Sequence, residues 1–356
     1  MNFNYLIKNN ILNLKPYQSA RRLKHSGKIW LNANEYPIAP YYKGQYKNIN
    51  RYPECQPPEL INNYAAYSGV QSDHILVSRG ADESIELLMK VFCRPNKDFI
   101  IFCPPTYGMY KTNAEILEIY YRMIPTKKNW QLDLSSIQSQ LNNVKLIYIC
   151  NPNNPTGNII YLHSLKKLLK IIQNKALLVC DEAYIDFCRH ASLIQLLTEY
   201  PNLIILRTLS KAFALAGLRC GFTLANPKII NLLTKVITPY PIPTPVIDIA
   251  TQALTPQNIQ YTQTRIKKIH NNRNMLIKAL KQCSCVQQIF PSYTNYILVK
   301  FYPQYQVFKT LLNQGIVLRD QSYQPGLMHC LRITIGSYNE CQLVISTLKK
   351  LKHSTF

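Results

Sequence analysis

Acidic residues are scarce in this chain. Its 356 residues include 18 Asp and Glu against 41 Lys and Arg, which gives a formal net charge of +23 at pH 7. Nucleic-acid binding is the first class of function that such a balance suggests. The basic residues are scattered, however, in runs no longer than two or three, as at Lys127 and Lys128. A nucleic-acid footprint should cluster, so we expect no nucleic-acid partner and small anionic substrates instead.

Long apolar runs are also missing. Nowhere do about 18 apolar residues follow one another, which is the length that a membrane-spanning helix needs. Residues 1–5 show no cationic segment followed by an apolar stretch, so no secretion signal is evident. We expect no membrane partner and a cytoplasmic location.

The cysteines form no pattern that would bind a metal. The chain has 11 of them, with no Cys-x-x-Cys pair and no His/Cys cluster at zinc spacing. Several, such as Cys103, Cys150 and Cys180, lie in apolar runs, where a reduced thiol behaves as a small hydrophobic side chain. We therefore expect no metal site and a reducing compartment.

Apolar runs alternate with amphipathic stretches between residue 74 and about residue 225. This alternation predicts repeated βα units and a mostly parallel sheet, hence an α/β fold. Four prolines between residues 239 and 245 mark a break. Beyond it, a long helical stretch over residues 248–280 and two strand-like runs predict a second, smaller α+β domain. A short strand is also expected at residues 28–31.

Chemically active side chains follow the predicted strands. Lys211 comes shortly after the apolar run 203–206, with the hydroxyl of Ser210 and the cation of Arg219 near it in sequence. An amine beside groups that suit an anion is what a Schiff-base lysine with a phosphate-bearing partner requires. Asp181 closes another apolar run, where a buried carboxylate is costly unless it meets a cation. The alternative for Asp181 is a helix N-cap.

Three more turns add candidates at the same edge of the predicted sheet. Asn154 lies in a turn dense in prolines and amides, and Tyr107 follows a proline pair at the end of a strand. Ala81 and Asp82 open a helix after a glycine, where free backbone N–H groups bind anions. Core packing for Tyr107 and ordinary capping by Asp82 are the alternatives. Ligands of open α/β sheets bind at the carboxyl ends of the strands, so one shared site is expected.

Five of these segments occur in an order and spacing that resemble the pyridoxal 5′-phosphate (PLP) enzymes of fold type I. They are RGADE at residues 79–83, CPPTYG at 103–108, NNPTG at 153–157, DEAY at 181–184 and TLSKAF at 208–213. The N-terminal segment, RYPE at 51–54, GLRCG at 217–221 and LRD at 318–320 narrow the resemblance to the histidinol-phosphate aminotransferase family. It extends from residue 14 to about residue 348.

The resemblance implies a PLP-dependent transferase fold of type I. Its large domain would hold a mostly parallel, seven-stranded sheet, and a smaller α+β domain would follow. The implied divisions are an N-terminal arm over residues 1–33, a large PLP-binding domain over 34–245 and a small domain over 246–356. The arm would pack on the small domain or on a partner subunit, and the protein would be a homodimer.

The resemblance also implies which residues hold the cofactor. Lys211 would form the Schiff base with PLP and move the proton, and Asp181 would keep the pyridine nitrogen protonated. Asn154 and Tyr184 would contact the phenolate oxygen, and Tyr107 would stack on the ring, with Thr208 below it. The cofactor phosphate would be bound by these residues: Ala81, Asp82, Ser210, Arg219 and Tyr52 of the second subunit.

The same resemblance implies that Arg332 and Arg319 bind the substrate, with Tyr17 and Asn34 at the substrate end. Guanidinium groups match both a phosphate and a carboxylate. The implied reaction exchanges an amino group between L-histidinol phosphate and 2-oxoglutarate, giving imidazole-acetol phosphate and glutamate in histidine biosynthesis. For these four residues, surface ion pairs or core packing are the alternatives.

Two other readings of the sequence stay open. One is another PLP enzyme of fold type I, such as a threonine-phosphate decarboxylase or an aromatic aminotransferase. The other is a binding protein that keeps the fold without catalysis. Such a protein would not need Lys211.

Overall fold

The computed structural model describes residues 6–20, 22, 26–44 and 49–351. Over these residues the β-strands are β1 (Ile29–Trp30), β2 (Ile75–Ser78), β3 (Phe99–Phe102), β4 (Tyr120–Met123), β5 (Val144–Cys150), β6 (Leu177–Asp181), β7 (Leu203–Thr208), β8 (Gly221–Ala225), β9 (Val286–Ile289), β10 (Tyr296–Phe301), β11 (Ile316–Val317), β12 (Arg319–Asp320) and β13 (Cys330–Thr334).

The α-helices of the same residues cover both faces of a sheet and the C-terminal part of the chain. They are α1 (Asn9–Leu12), α2 (Pro58–Ser68), α3 (Ala81–Phe92), α4 (Met109–Ile116), α5 (Leu134–Ser139), α6 (Leu162–Ile171), α7 (Pro227–Thr234), α8 (Thr244–Ala253), α9 (Pro256–Leu280), α10 (Gln304–Asn313) and α11 (Tyr338–Lys350).

A seven-stranded sheet forms the centre of the molecule, with strand order β2-β8-β7-β6-β5-β3-β4. The pairs from β7 through β6, β5 and β3 to β4 are parallel, whereas β8 runs antiparallel to both β2 and β7. The α/β class and the mostly parallel seven-stranded sheet are confirmed. The reversed strand β8 was not predicted, because it has the same apolar composition as its parallel neighbours.

Both faces of this sheet are buried. On β5, Val144, Ile147 and Ile149 pack into one hydrophobic cluster, while Leu146 and Tyr148 pack into a second on the other face. Burial on both sides explains why these strands read as continuous apolar runs rather than as alternating patterns. Because neighbouring strands share one direction, the carboxyl ends of β3, β5, β6 and β7 meet at a single edge.

A second, four-stranded antiparallel sheet has the order β12-β13-β10-β9. Across it, Arg319 of β12 stands opposite Arg332 of β13. The predicted short strand near residues 28–31 is present as β1, and it pairs in parallel with β11. The N-terminal segment thus contacts the C-terminal part of the same chain. The predicted divisions 1–33, 34–245 and 246–356 stay a prediction, and parts of the first and last lie outside the described residues.

The single helical stretch predicted over residues 248–280 is wrong. The structure has two helices there, α8 and α9, separated at Leu254 and Thr255. Thr255 is extended (φ −67°, ψ 151°) and Pro256 begins the second helix. A proline has no backbone N–H to continue the preceding helix and excludes the residue before it from helical geometry. No described helix is both long enough and apolar enough to span a bilayer.

Candidate active site

A cavity of about 300 Å³ opens at the carboxyl edge of the seven-stranded sheet and is bounded on the other side by the four-stranded sheet. It is lined by all but one of the residues that the sequence singled out, namely Tyr17, Asn34, Ala81, Asp82, Tyr107, Asn154, Asp181, Tyr184, Thr208, Ser210, Lys211, Arg219, Arg319 and Arg332. Five separate turns therefore converge on one space.

Lys211 follows β7 and lies at the base of the cavity. Its ammonium donates a hydrogen bond to the carbonyl oxygen of Ala33 at 3.0 Å and lies 5.7 Å from the centre of the Tyr184 ring. Burial, and next the positive charge of Arg332, lower the pKa of Lys211 from 10.5 to about 8. A substantial fraction of the amine is therefore neutral, hence nucleophilic, near pH 8.

Asp181 is the last residue of β6 and is almost fully buried. Its carboxylate accepts hydrogen bonds from the hydroxyl of Tyr110 at 2.8 Å and from the backbone N–H of Ala183 at 3.1 Å. Burial raises the pKa of Asp181 from 3.8 to about 6, although these two donors act in the opposite direction. The carboxylate is therefore ionised at neutral pH yet lacks a cationic partner among the described residues.

A concave group of donors lies where β2 leads into α3. Gly80 has φ +78°, a conformation that side chains rarely adopt, and Gly221 packs so closely that a Cβ there would stand 2.6 Å from the nitrogen of Ala81. The start of α3 is thereby brought beside Ser210 and Arg219. The guanidinium of Arg219 lies 3.4 Å from the Ser210 hydroxyl and 3.2 Å from the Asp82 carboxylate. Helix-start N–H groups, a hydroxyl and a guanidinium suit a phosphate.

Tyr107 and Thr208 are fixed by hydrogen bonds around this group. The Tyr107 hydroxyl donates to Asp82 at 2.8 Å, and Tyr107 lines the cavity. Tyr17 contacts Tyr107 edge-on, with ring centres 6.3 Å apart. The Thr208 hydroxyl accepts from the backbone N–H of Ser210 at 3.1 Å and so shapes the turn before Lys211.

Asn34, Tyr184 and Asn154 form the wall nearest the four-stranded sheet. The side-chain amide of Asn34 donates to the Tyr184 hydroxyl at 2.9 Å. The side-chain oxygen of Asn154 accepts from Arg332 at 2.5 Å. Because that oxygen is used, the Asn154 side-chain NH₂ group is the part left to donate to a ligand.

The two arginines on the opposite wall are buried, with 7% exposure each. Arg332 donates to the carbonyl oxygen of Asn32 at 2.7 Å, and its Nε has no partner among the described residues. Arg319 donates to the carbonyl oxygen of Gln18, and one of its terminal nitrogens is likewise unpaired. Neither forms an ion pair with a described carboxylate. Buried donors without partners suit an anionic ligand.

Tyr52 is the predicted site residue that lies outside the cavity of this chain. It is 79% exposed, and its ring stacks on Tyr240 with centres 4.2 Å apart. Its prediction concerned the second subunit and stays a prediction.

Other residues at the site were not found from the sequence. Tyr110 donates to Asp181, and the cavity is also lined by Asn32, Gln321 and Tyr323. Tyr107 precedes α4 and Tyr110 lies within it, so no helical spacing relates the two, and Tyr110 lacked a signal in the sequence. The other three lacked one as well. Among the described residues no group of three or more His, Cys, Asp and Glu side chains could hold a metal ion.

The fold and the site together are typical of one class of protein, the aminotransferases of class I and II. The features that indicate this class are the seven-stranded sheet, the lysine at its carboxyl edge and the group of donors that suits a phosphate. A family model described as aminotransferase class I and II matches residues 26–348.

Two similar proteins identify the family within this class. The chain is 76% identical over 351 residues to histidinol-phosphate aminotransferase of Blochmanniella pennsylvanica (99% of this chain, 98% of the relative) and 56% identical over 355 residues to that of Sodalis glossinidius (100% and 99%). The chain therefore belongs to the histidinol-phosphate aminotransferase family. The chain has the same fold as histidinol-phosphate aminotransferase of Sinorhizobium meliloti, whose crystal structure is a complex with pyridoxal 5′-phosphate. The TM-score is 0.86 at 22% identity, and the match covers 97% of this chain and 96% of that one.

Proposed function

We propose that this chain uses PLP to exchange an amino group between L-histidinol phosphate and 2-oxoglutarate, in histidine biosynthesis. It is a PLP-dependent aminotransferase. The observation that carries the proposal is the cavity itself, which holds a partly neutral lysine at its base and two buried, incompletely paired arginines on its wall. These features suit an amine-exchange reaction on anionic substrates.

The residues around the cavity fit PLP. The start of α3, Ser210 and Arg219 would hold its phosphate, and Tyr107 would contact the face of its ring. Asp181 would accept a hydrogen bond from the protonated ring nitrogen, which supplies the cation that this buried carboxylate lacks. When bound, PLP supplies a ring that accepts electrons from the substrate α-carbon.

Lys211 would act twice in each half-reaction. Its neutral amine, available because of the lowered pKa, would first hold the cofactor. Released from the cofactor by the substrate, the same amine would take a proton from the α-carbon and return it to the cofactor carbon. Tyr184 and the Asn154 amide would donate hydrogen bonds to the phenolate oxygen, and Asn34 orients the Tyr184 hydroxyl.

Arg319 and Arg332 would bind the anionic ends of both substrates. They stand opposite each other on β12 and β13, so their guanidinium groups reach the cavity from adjacent strands. A guanidinium binds a phosphate and a carboxylate with the same N–H geometry. One pair of arginines could therefore serve histidinol phosphate in one half-reaction and glutamate or 2-oxoglutarate in the other. Tyr17 and Asn34 would line the substrate end.

The substrate assignment is tested by incubating the PLP-loaded protein with glutamate and imidazole-acetol phosphate. Formation of histidinol phosphate is expected, with 2-oxoglutarate in equal amount. Phosphothreonine and aromatic amino acids in separate reactions test the other fold-type-I activities. Turnover of one of these without any histidinol phosphate would overturn the substrate assignment and leave the aminotransferase family unaffected.

The protein is proposed to act as a homodimer. Tyr52 and Tyr240 form an exposed aromatic pair, and Tyr41, also on this stretch of chain, is 90% exposed. Apolar rings that remain exposed in one chain are typical of surfaces that a partner covers. Tyr52 would then reach the cofactor phosphate of the second subunit. Sedimentation equilibrium should give twice the mass of 41.2 kDa, and a monomer at micromolar concentration would contradict this.

A cytoplasmic location and the three-part division of the chain are proposed as well. All 11 cysteines are free, and 10 of them are buried, as expected where thiols stay reduced. A fluorescent fusion located by microscopy tests the location. Limited proteolysis tests the division at its second boundary, with the first cleavage expected at the exposed turn around Tyr240, before the interior of either domain is cut.

A further inference from the structure

The hydroxyl of Tyr110 contacts the carboxylate that the proposed reaction depends on. It donates to Oδ2 of Asp181 at 2.8 Å, while the other oxygen, Oδ1, accepts from the backbone of Ala183. Each carboxylate oxygen thus has one donor, and the one on Oδ2 comes from a side chain. Removing it would leave that oxygen without its donor in a site that is 3% exposed.

Tyr110 is itself held rigidly. Its ring is fully buried, stacks on Tyr148 with centres 4.9 Å apart and meets Tyr107 edge-on at 5.7 Å. It belongs to α4, the helix that follows the turn carrying Tyr107. A hydroxyl fixed in this way can hold a carboxylate in one orientation, because neither ring nor helix can move without disturbing the core.

The donor also affects the charge of Asp181. Burial raises the pKa of this carboxyl to about 6, and the Tyr110 hydrogen bond opposes that rise by stabilising the anion. A donor to the carboxylate therefore favours the state in which Asp181 is negative and the ring nitrogen of a bound cofactor carries the proton. Without the donor, the proton moves toward the carboxyl group and leaves the ring nitrogen neutral.

We propose that Tyr110 is a positioning residue for the amine-exchange reaction, which fixes Asp181 and keeps it ionised through the Tyr110–Asp181 hydrogen bond. Tyr110 acts through Asp181 rather than by touching the cofactor or the substrate. The inference rests on the proposed function, since it assigns to Asp181 the role of partner to the cofactor nitrogen.

The test compares Tyr110→Phe (Y110F) with Tyr148→Phe (Y148F), each loaded with PLP labelled with ¹⁵N at the ring nitrogen. Tyr148 is a matched control, because it is equally buried and stacked on Tyr110, but its hydroxyl donates to the carbonyl oxygen of Ile85. The ¹⁵N chemical shift reports directly on protonation of the ring nitrogen. Cofactor Kd and the kcat and KM for histidinol phosphate are measured alongside.

Y110F is expected to move the ¹⁵N shift toward the neutral ring. It should also lower kcat and cofactor affinity by about tenfold to a hundredfold each, with KM changed by no more than about twofold, because a hydrogen bond to a charged group is lost. Y148F should keep the wild-type shift and kcat. Equal behaviour of Y110F and Y148F would overturn the proposal. Wild-type protein that neither takes up PLP nor makes histidinol phosphate would instead contradict the proposed function.

A double-mutant cycle with Asp181→Asn (D181N) keeps the test decisive if Y110F alone folds poorly. In Y110F/D181N no buried charge is left without its donor, so this variant should fold as well as D181N. If Tyr110 acts through the carboxylate charge, adding Y110F to D181N should change cofactor affinity by less than about twofold. An undiminished effect in the D181N background would show that Tyr110 acts by another route, and the proposal would fail.

Discussion

At the scale of single residues, burial is what gives the site its reactivity. It lowers the pKa of Lys211 to about 8 and raises that of Asp181 to about 6, because a low-dielectric environment disfavours the charged form of either group. The two values lie close to neutral pH from opposite sides. An amine and a carboxyl group on the surface would differ far more.

Lys211→Ala (K211A) should remove activity without unfolding the protein. Turnover is expected to fall by roughly a thousandfold or more, since no other group supplies the amine. The phosphate-binding donors remain, so PLP should still bind, though reversibly. Turnover and an absorbance titration with PLP measure both effects. Lys175→Ala at an exposed position is the control and should behave as wild type; K211A with near-normal turnover would rule out Lys211 as the reactive amine.

Asp181→Asn should stabilise the cofactor-free protein in a pH-dependent way. The folded pKa of about 6 lies above the ordinary 3.8, so the native state binds the extra proton between these values and stability falls as pH rises through them. The penalty is absent below about pH 4 and complete above about pH 6, where D181N should gain about 2–3 kcal/mol.

Urea unfolding of the cofactor-free protein at pH 5 and pH 8 measures this gain. The exposed Glu199→Gln provides the control, with little change expected at either pH. A D181N gain that is the same at both pH values would contradict the assignment of the penalty to the ionised carboxylate.

At the scale of elements, the group of phosphate-binding donors, namely the start of α3, Ser210 and Arg219, depends on how closely β8 approaches the start of α3. Only a residue without a side chain fits at Gly221, because a Cβ would stand 2.6 Å from backbone atoms of both Gly80 and Ala81. The neighbouring Arg219 adopts a left-handed conformation, φ +56°, which turns the chain from the lysine segment into β8. Backbone packing thus places the donors before any ligand is present.

Gly221→Ala should therefore push α3 away from Ser210 and Arg219. We expect a loss of about 2–4 kcal/mol in the free energy of unfolding and a cofactor Kd at least tenfold higher. Gly217→Ala is a matched control in the same segment, since a Cβ there meets nothing within 4 Å. It should alter stability by less than about 0.5 kcal/mol. Calorimetry and PLP titration measure both; equal effects of the two substitutions would refute the packing argument.

At the scale of the whole molecule, the site exists because two sheets face each other. Lysine, carboxylate and phosphate donors come from the seven-stranded sheet, while Arg319 and Arg332 come from the four-stranded one. The bonds from Arg332 to Asn154 and from Asn295 to Asn34 tie the walls together. The whole chain carries a formal net charge of +23, which should attract anionic substrates.

The proposed sharing of sites between subunits predicts complementation. Tyr52→Ala should weaken PLP binding, so this variant is poorly active at limiting PLP, and K211A is inactive. In a mixed dimer, one site would combine Lys211 of the first chain with Tyr52 of the second and regain full cofactor affinity. We expect remixed Tyr52→Ala and K211A proteins to exceed the activity of either alone by about threefold or more, given the stacking and hydrogen-bonding losses of a single tyrosine.

The double variant K211A/Tyr52→Ala is the control for this mixing experiment. It cannot donate Tyr52 to its partner, so mixing it with Tyr52→Ala should give no gain. Equal activity of the two mixtures would indicate that Tyr52 does not reach the second subunit.

The sequence by itself determined the order of the elements, the α/β class and the family. Apolar runs such as those of β5 and β7 report burial on both faces, and the lysine, aspartate and amide turns follow these runs at distances that resemble one family. Such information is local, because periodicity and turn chemistry depend on a few neighbouring residues. It therefore places each candidate at the end of a strand.

Tertiary structure decided which groups meet and in which charge state. The reversal of β8, the hydrogen bond from Tyr110 to Asp181 and the alignment of Arg319 with Arg332 involve partners that sequence windows do not connect. Sheet register and close packing fix these contacts, and desolvation then sets the pKa values of Lys211 and Asp181. The sequence specifies the type of each residue, whereas the spatial neighbours of that residue and its exposure to water are determined only when the chain folds.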